Sequence, residues 1–242
     1  MRLFFILFIL PVLLSAQSTV ADVVLLIENK KFEEAETLTK RYLTEFPNNQ
    51  EGLELLGDVF AYQEKWDDAV LQYKKLTSLN PQKANYHYKY GGALSMKAIN
   101  ANVFVATTYV SDIKNAFLEA SQLDESHIDT RWALVKLYIE LPFVLGGSKK
   151  QAMHYAQQLE VISKVDGYLA KGFVYNETDD KINAEKFYKK ALAVGGSKTC
   201  YKELSNFYLK HNEQEKALHI LKQAYDKFKD VKFKEKIEEI TR

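Results

Sequence analysis

Along most of the chain, apolar and small residues recur at intervals of three and four, the spacing that gathers them on one face of a helix. Leu53, Leu56, Gly57 and Phe60 form one such series, Ala69 and Tyr73 a second, and Pro81 follows. Proline disfavours helix in the residue before it, so Pro81 marks where the second helix stops. The same arrangement returns along the sequence. Ala69 and Pro81 have counterparts 34 residues earlier, Ala35 and Pro47. Gly172, Tyr175, Ala184, Tyr188 and Ala191 repeat it, and 33 residues later Ser205, Tyr208, Ala217, Leu221 and Ala224 repeat it again. A run of helix pairs is therefore predicted, each exposing an apolar face until the next covers it. Small residues at Gly57, Gly91, Gly172 and Ser205 on the first helices, and at Ala35, Ala69, Ala184 and Ala217 on the second, let the backbones approach. Aromatic side chains such as Phe60, Tyr73, Tyr175, Tyr188 and Tyr208 fill the remaining gaps.

Two places break the period. Gly91 and Phe117 lie 26 residues apart where Gly57 and Tyr73 lie 16 apart, so about ten residues are inserted within 98–111. That insert is apolar and β-branched around Val103 to Val110; it predicts lengthened helices, with a short strand as the alternative. The second break is Leu141 to Ser148. Pro142 ends a helix there, Gly146 and Gly147 turn the chain, and Ser148 caps the next helix. Phe233, Ile237 and Ile240 then recur at helical spacing among charges, which predicts a solvating end helix over 229–242.

These spacings resemble the tetratricopeptide repeat, with its L-G-x2-aromatic series, its A-x3-aromatic series and its closing proline. The resemblance covers nearly all of residues 20–228, and it extends to exported repeat proteins of Gram-negative bacteria. It implies an all-α solenoid of about six helix pairs, in units 17–49, 50–83, 84–127, 128–164, 165–197 and 198–228, followed by a capping helix. It also implies a concave groove for a protein or peptide, lined by the inward positions of each first helix: Tyr88, Gly92, Trp132, Lys136, Phe173, Asn176, Lys202 and Asn206. Tyr88, Trp132 and Phe173 would form an aromatic floor, and aromatic residues are favoured as binding anchors. Lys202 and Asn206 fall where the carboxylate clamp of chaperone-binding relatives places a lysine and an asparagine, although the repeats that complete such a clamp are not expected to follow.

The N-terminus changes the picture of where the protein works. Arg2 precedes an apolar run from Leu3 to Leu14 and small residues at Ser15 and Ala16. This is the layout of a secretory signal peptide over 1–16, with an uncleaved anchor or a buried helix as the alternatives. The run is short for a membrane span and Pro11 interrupts it. The single cysteine, Cys200, excludes an internal disulfide, a cysteine-based zinc site and a lipid-modified cysteine near the cleavage region. A periplasmic or secreted protein without an integral span is expected.

Charge and chemistry narrow the function further. The 33 basic and 32 acidic residues nearly balance, and only four of the basic residues are arginine. That balance argues against nucleic acid as a partner. The distribution is uneven: residues 181–242 carry 15 basic and nine acidic residues, and 17–180 carry 17 basic and 23 acidic. His87, His127, His154, His211 and His219 show no metal-ligand spacing, and His127 reads as a solvated turn residue. Gly146-Gly147-Ser148-Lys149 and Gly195-Gly196-Ser197-Lys198 read as inter-helix turns rather than phosphate sites. No motif of nucleophilic, dinucleotide or phosphate chemistry occurs. The expectation is a non-enzymatic adaptor without cofactor or metal that holds a protein or peptide, an envelope component by its location. The alternative is a small-molecule or transporter-associated carrier whose pocket the two insertions form near Trp132.

Overall fold

The structure is a computed structural model and describes residues 20–241; the signal peptide assigned to 1–16 lies outside the described residues. Thirteen α-helices and no strand occur among the described residues. They are α1 (20–28), α2 (Phe32–Glu45), α3 (Gln50–Tyr62), α4 (Trp66–Leu79), α5 (Ala84–Ile99), α6 (Val103–Leu123), α7 (Ile128–Glu140), α8 (Lys149–Ile162), α9 (Lys164–Glu177), α10 (Lys181–Gly195), α11 (Lys198–Lys210), α12 (Gln214–Phe228) and α13 (Val231–Thr241). The chain divides into two compact units at Glu125/Ser126. In the first, each helix from α2 to α6 packs on the next. In the second, α7 to α13 do the same, and α7 and α11 also touch α9.

The local sequence explains where helices begin. Asn49, Asn102, Ser148, Ser163, Asp180 and Ser197 each accept the backbone N–H three residues on, which covers one of the free donors at a helix start. The turns inside the hairpins are marked by residues in the left-handed region: Lys30, Glu64, Asp179 and Asn212 all have φ of 58° or 59°. The repeat seen in the side chains is thus present in the backbone as well.

Packing follows the small-against-aromatic rule. Ala35, Ala69, Ala184 and Ala217 are fully buried. A Cβ added to Gly172 would lie 2.8 Å from the Tyr188 ring, and one added to Gly91 would lie 2.8 Å from the Phe117 ring. Contacts this close let the aromatic ring of the second helix sit directly on the backbone of the first.

The insert at 98–111 is helical, and the strand alternative is excluded. α5 has 16 residues and α6 has 21, where α3 has 13 and α4 has 14. The two helices take up the surplus and carry the turn at 100–102 outward. The second insertion holds a short 3-10 turn, Phe143–Leu145, after Pro142. Gly146 adopts φ of 93°, and the N–H of Ser148 donates to the Tyr138 carbonyl at 2.7 Å. A side chain at Gly147 would strike the Leu141 carbonyl. At the C-terminus, α13 is amphipathic: Phe233 is buried against Leu221 and Ala224.

Candidate functional site

The residues expected to line a groove fall in different surroundings. Tyr88 belongs to the first unit, on α5, half-buried with its ring tilted against Phe117. The others belong to the second unit. Lys136 is exposed on α7 and Phe173 is half-buried on α9. Trp132 packs against the core around Leu169 and Tyr188, and its indole N–H donates to Asp166 Oδ1 at 3.0 Å. Asp166 also accepts the Ser163 hydroxyl at 2.6 Å. Trp132 therefore joins α7 to the start of α9.

Asn176 differs from its expected role. It is only 7% exposed, its Oδ1 meets His211 Nε2 at 2.9 Å, and its Nδ2 donates to Glu177 Oε1 at 3.0 Å. A count of helix positions gives the direction of a side chain but not the neighbour that covers it. Here the end of α11 covers Asn176, and the amide ties two helices together.

Lys202 and Asn206 stand one turn apart on α11, and both are exposed. They line a concavity of about 520 Å³ between α11, α12 and α13. Lys198 joins them from the start of α11, and α13 supplies Lys232 and Lys236. Leu221 and Phe233 form apolar lining. Asp230 is the one acidic residue in the lining, and Lys198 holds it at 2.6 Å. That ammonium, and then the Lys232 N–H, keep the Asp230 carboxyl below its ordinary range. Of the four lysines in the lining, Lys198 pairs with Asp230 and Lys236 with Glu239 at 2.9 Å, whereas Lys202 and Lys232 are in no ion pair among the described residues. Such a cavity favours an anionic group attached to an apolar one. Sequence reasoning missed the contribution of α13, whose charges read as solvation. The available signal was Lys232-x3-Lys236, which puts two ammonium groups on one helix face.

Trp132 lines neither this concavity nor a second one beside α8, which is bordered by Lys149, Met153, His154 and Tyr175. The histidines serve the fold. His127 Nδ1 accepts the Thr130 N–H at 3.2 Å and caps α7, a tighter role than that of a solvated turn residue. His154 and His219 each meet the glutamine four residues on. Among the described residues no group of three His, Cys, Asp or Glu side chains could hold a metal ion, and no helix is long and apolar enough to cross a membrane.

A polar cluster in the first unit also escaped the sequence reading. Lys89 on α5 reaches Glu54 at 2.8 Å and Asp58 at 2.7 Å on α3, and Tyr73 on α4 donates its hydroxyl to Asp58 at 2.6 Å. Burial, reinforced by Asp58, pushes the Tyr73 hydroxyl far up, so it remains a donor. The cluster links three helices and opens into no cavity among those described.

Comparison with known proteins agrees with this architecture. Residues 57–97 match the model of the TPR repeat. In fold the chain is similar to a tetratricopeptide repeat protein from Parabacteroides merdae, at 12% identity and a TM-score of 0.64, over 88% of this chain and 79% of that one. It is similar to PilF of Pseudomonas aeruginosa, at 15% identity and a TM-score of 0.60, over 93% and 97%. It is also similar to YrrB, described as a TPR protein with an unusual peptide-binding site, at 14% identity and a TM-score of 0.53, over 75% and 87%. No match was found among curated proteins.

Proposed function

We propose that this chain, whose residues 57–97 match the TPR repeat and whose fold is that of TPR proteins, is an exported, non-enzymatic scaffold that holds a peptide segment of an envelope protein. The observation that carries this reading is the lysine-rich concavity between α11, α12 and α13. The ligand that fits is a peptide bearing carboxylates, at its C-terminus or on acidic side chains, beside an apolar residue. Lys202 and Lys232 meet the carboxylates, Asn206 offers an amide donor, and Leu221 and Phe233 take the apolar side chain. The helices preform the pocket, so binding orders few groups of the protein. YrrB, similar in fold, is itself described as having a peptide-binding site. Export is supported by the leader composition of residues 1–16 and by a lone, buried cysteine, which forms no wrong disulfide in an oxidising compartment.

The experiment is a selection of random peptides on the chain from Gln17 onward, followed by anisotropy titration of the selected peptides. Acidic or carboxylate-terminated peptides with an apolar neighbour are expected, and Lys202→Ala with Asn206→Ala should weaken them by about tenfold or more. Selection of neutral peptides, or binding indifferent to the double substitution, would remove the pocket from the function. N-terminal sequencing of the protein recovered from the periplasm and the medium tests export and the processing site.

A further inference from the structure

The turn between α5 and α6, carried outward by the insert, bears a second surface of different character. Ile99, Val103 and Phe104 are 70%, 77% and 86% exposed, and Met96 and Val105 are exposed beside them. Residues 98–111 contain no charged side chain, in a chain where 27% of residues are charged. Several polar groups of the tip bond within it. Asn100 Nδ2 donates to the Met96 carbonyl at 2.9 Å, and Asn102 accepts the Val105 N–H at 3.1 Å. Thr107 and Thr108 donate to the carbonyls of Phe104 and Val105 at 2.8 and 2.7 Å.

We propose that this tip inserts into the outer layer of a lipid bilayer. The bilayer accepts a small convex apolar tip without shape complementarity. A stable protein interface, by contrast, engages about 20–30 residues a side, and the tip offers five apolar side chains. The first charge and the first aromatic hydroxyl stand at its base. Lys97, paired with Asp67, lies 5.0 Å from the centre of the Tyr109 ring. Lysine and tyrosine are the side chains that suit the headgroup level. Tyr109 is five residues along α6 from Phe104, about 7.5 Å of helix rise, which matches the depth of interfacial insertion, about 5–10 Å. The tip contributes no basic charge of its own, so its attachment is apolar and indifferent to salt. This surface belongs to the first unit and is independent of the lysine pocket.

The test is flotation of the chain from Gln17 onward, which holds every described helix, with vesicles of phosphatidylcholine alone, at low and high salt. The wild-type chain should float at both salt levels. Val103→Asp with Phe104→Asp should lower the bound fraction by about tenfold or more, and Phe143→Asp, at an exposed apolar turn of the second unit, should leave it unchanged. Circular dichroism checks that the exposed substitutions leave the helices intact. A second reading is independent of that variant. Phe104→Cys carries an environment-sensitive dye, Cys200 being buried and unlabelled, and its emission should shift to the blue on adding vesicles. Absence of flotation by the wild type, equal flotation of the double variant, or no shift of the dye overturns the proposal. Binding confined to anionic vesicles and abolished by salt also overturns it, because lysines would then carry the contact. Tip-dependent self-association without lipid overturns it in favour of a protein contact.

Discussion

Gly57 lies directly beneath Tyr73: a Cβ on this glycine would stand 2.5 Å from the ring carbon Cε1, inside any tolerable contact. Tyr73 is 3% exposed and its hydroxyl is tied to Asp58, so the ring has little room to withdraw. Gly92, in the middle of α5, is the opposite case, with nothing within 4 Å of the same added atom. Gly57→Ala gains up to about 1 kcal/mol of helix propensity but meets an overpacking cost of about 1–3 kcal/mol. Gly92→Ala keeps the gain of about 0.5–1 kcal/mol alone. Urea unfolding should therefore show the first variant less stable than wild type and the second more stable. A stabilised Gly57→Ala would mean that the α3–α4 contact is looser than this geometry.

Trp132, expected on a groove floor, is half-buried and donates its indole N–H to Asp166. Asp166→Ala removes the acceptor of the indole N–H and the partner of the Ser163 hydroxyl at the start of α9. A loss of about 1–3 kcal/mol is expected, from one orphaned donor and one weakened cap. Asp166→Asn keeps an oxygen acceptor and should recover part of that loss. Thermal unfolding of the two variants checks the order. Trp132→Ala should lower the melting temperature as well, so a loss of ligand binding in that variant alone would not locate a binding surface.

The repeat was legible because its signal lies in residue size. Gly57, Gly91 and Gly172 face Tyr73, Phe117 and Tyr188, and these pairs keep their spacing except where the insert lengthens it. The position of the insert was legible for the same reason, and so was its lengthening of the helices, although the β-branched residues from Val103 to Val110 kept a strand open as the alternative. The candidate site was less legible. Lys202 and Asn206 could be placed by counting along a helix, but the pocket they line needs α13, whose lysines read as a solvated end. Asn176 and Trp132 have partners 35 and 34 residues away, His211 and Asp166. Those contacts are set by the stacking of successive first helices, a relation that local periodicity does not describe.

Lys89 offers a test of whether the polar cluster in the first unit stabilises the fold. Its ammonium sits between Glu54 and Asp58, and all three side chains are partly buried. Burial opposes its charge, but Asp58 and Glu54 outweigh burial and raise its pKa. Lys89→Met leaves two carboxylates one turn apart on α3 without a counter-ion, and about 1–3 kcal/mol should be lost. Adding Glu54→Gln removes the repulsion, so the double variant should be more stable than Lys89→Met alone. Chemical denaturation of the four members of this cycle measures the coupling. Independent, additive losses would show that the three charges act separately.

Glu36 gives the pH dependence a definite sign. Its carboxylate on α2 meets Lys40 at 2.6 Å, one turn on, and Lys65 at 2.7 Å, at the entry to α4. The bond from Lys40, and then that from Lys65, lower its pKa from 4.5 to about 2. A folded-state value below the unfolded one adds stability that is present above the unfolded pKa and lost as pH falls through the folded one. The window is therefore from about 4.5 down to about 2. Both lysines are about half exposed, at 54% and 44%, and solvent screening keeps the contribution to about 0.5–1 kcal/mol. Glu36→Gln should be destabilised by that amount near neutral pH in low salt. The gap to wild type should narrow as the pH is lowered through the window, and it should shrink in high salt at neutral pH. Urea unfolding of both proteins across that range reads the gap directly. A gap constant in pH and salt would assign the effect of the substitution to packing of the side chain instead of its charge.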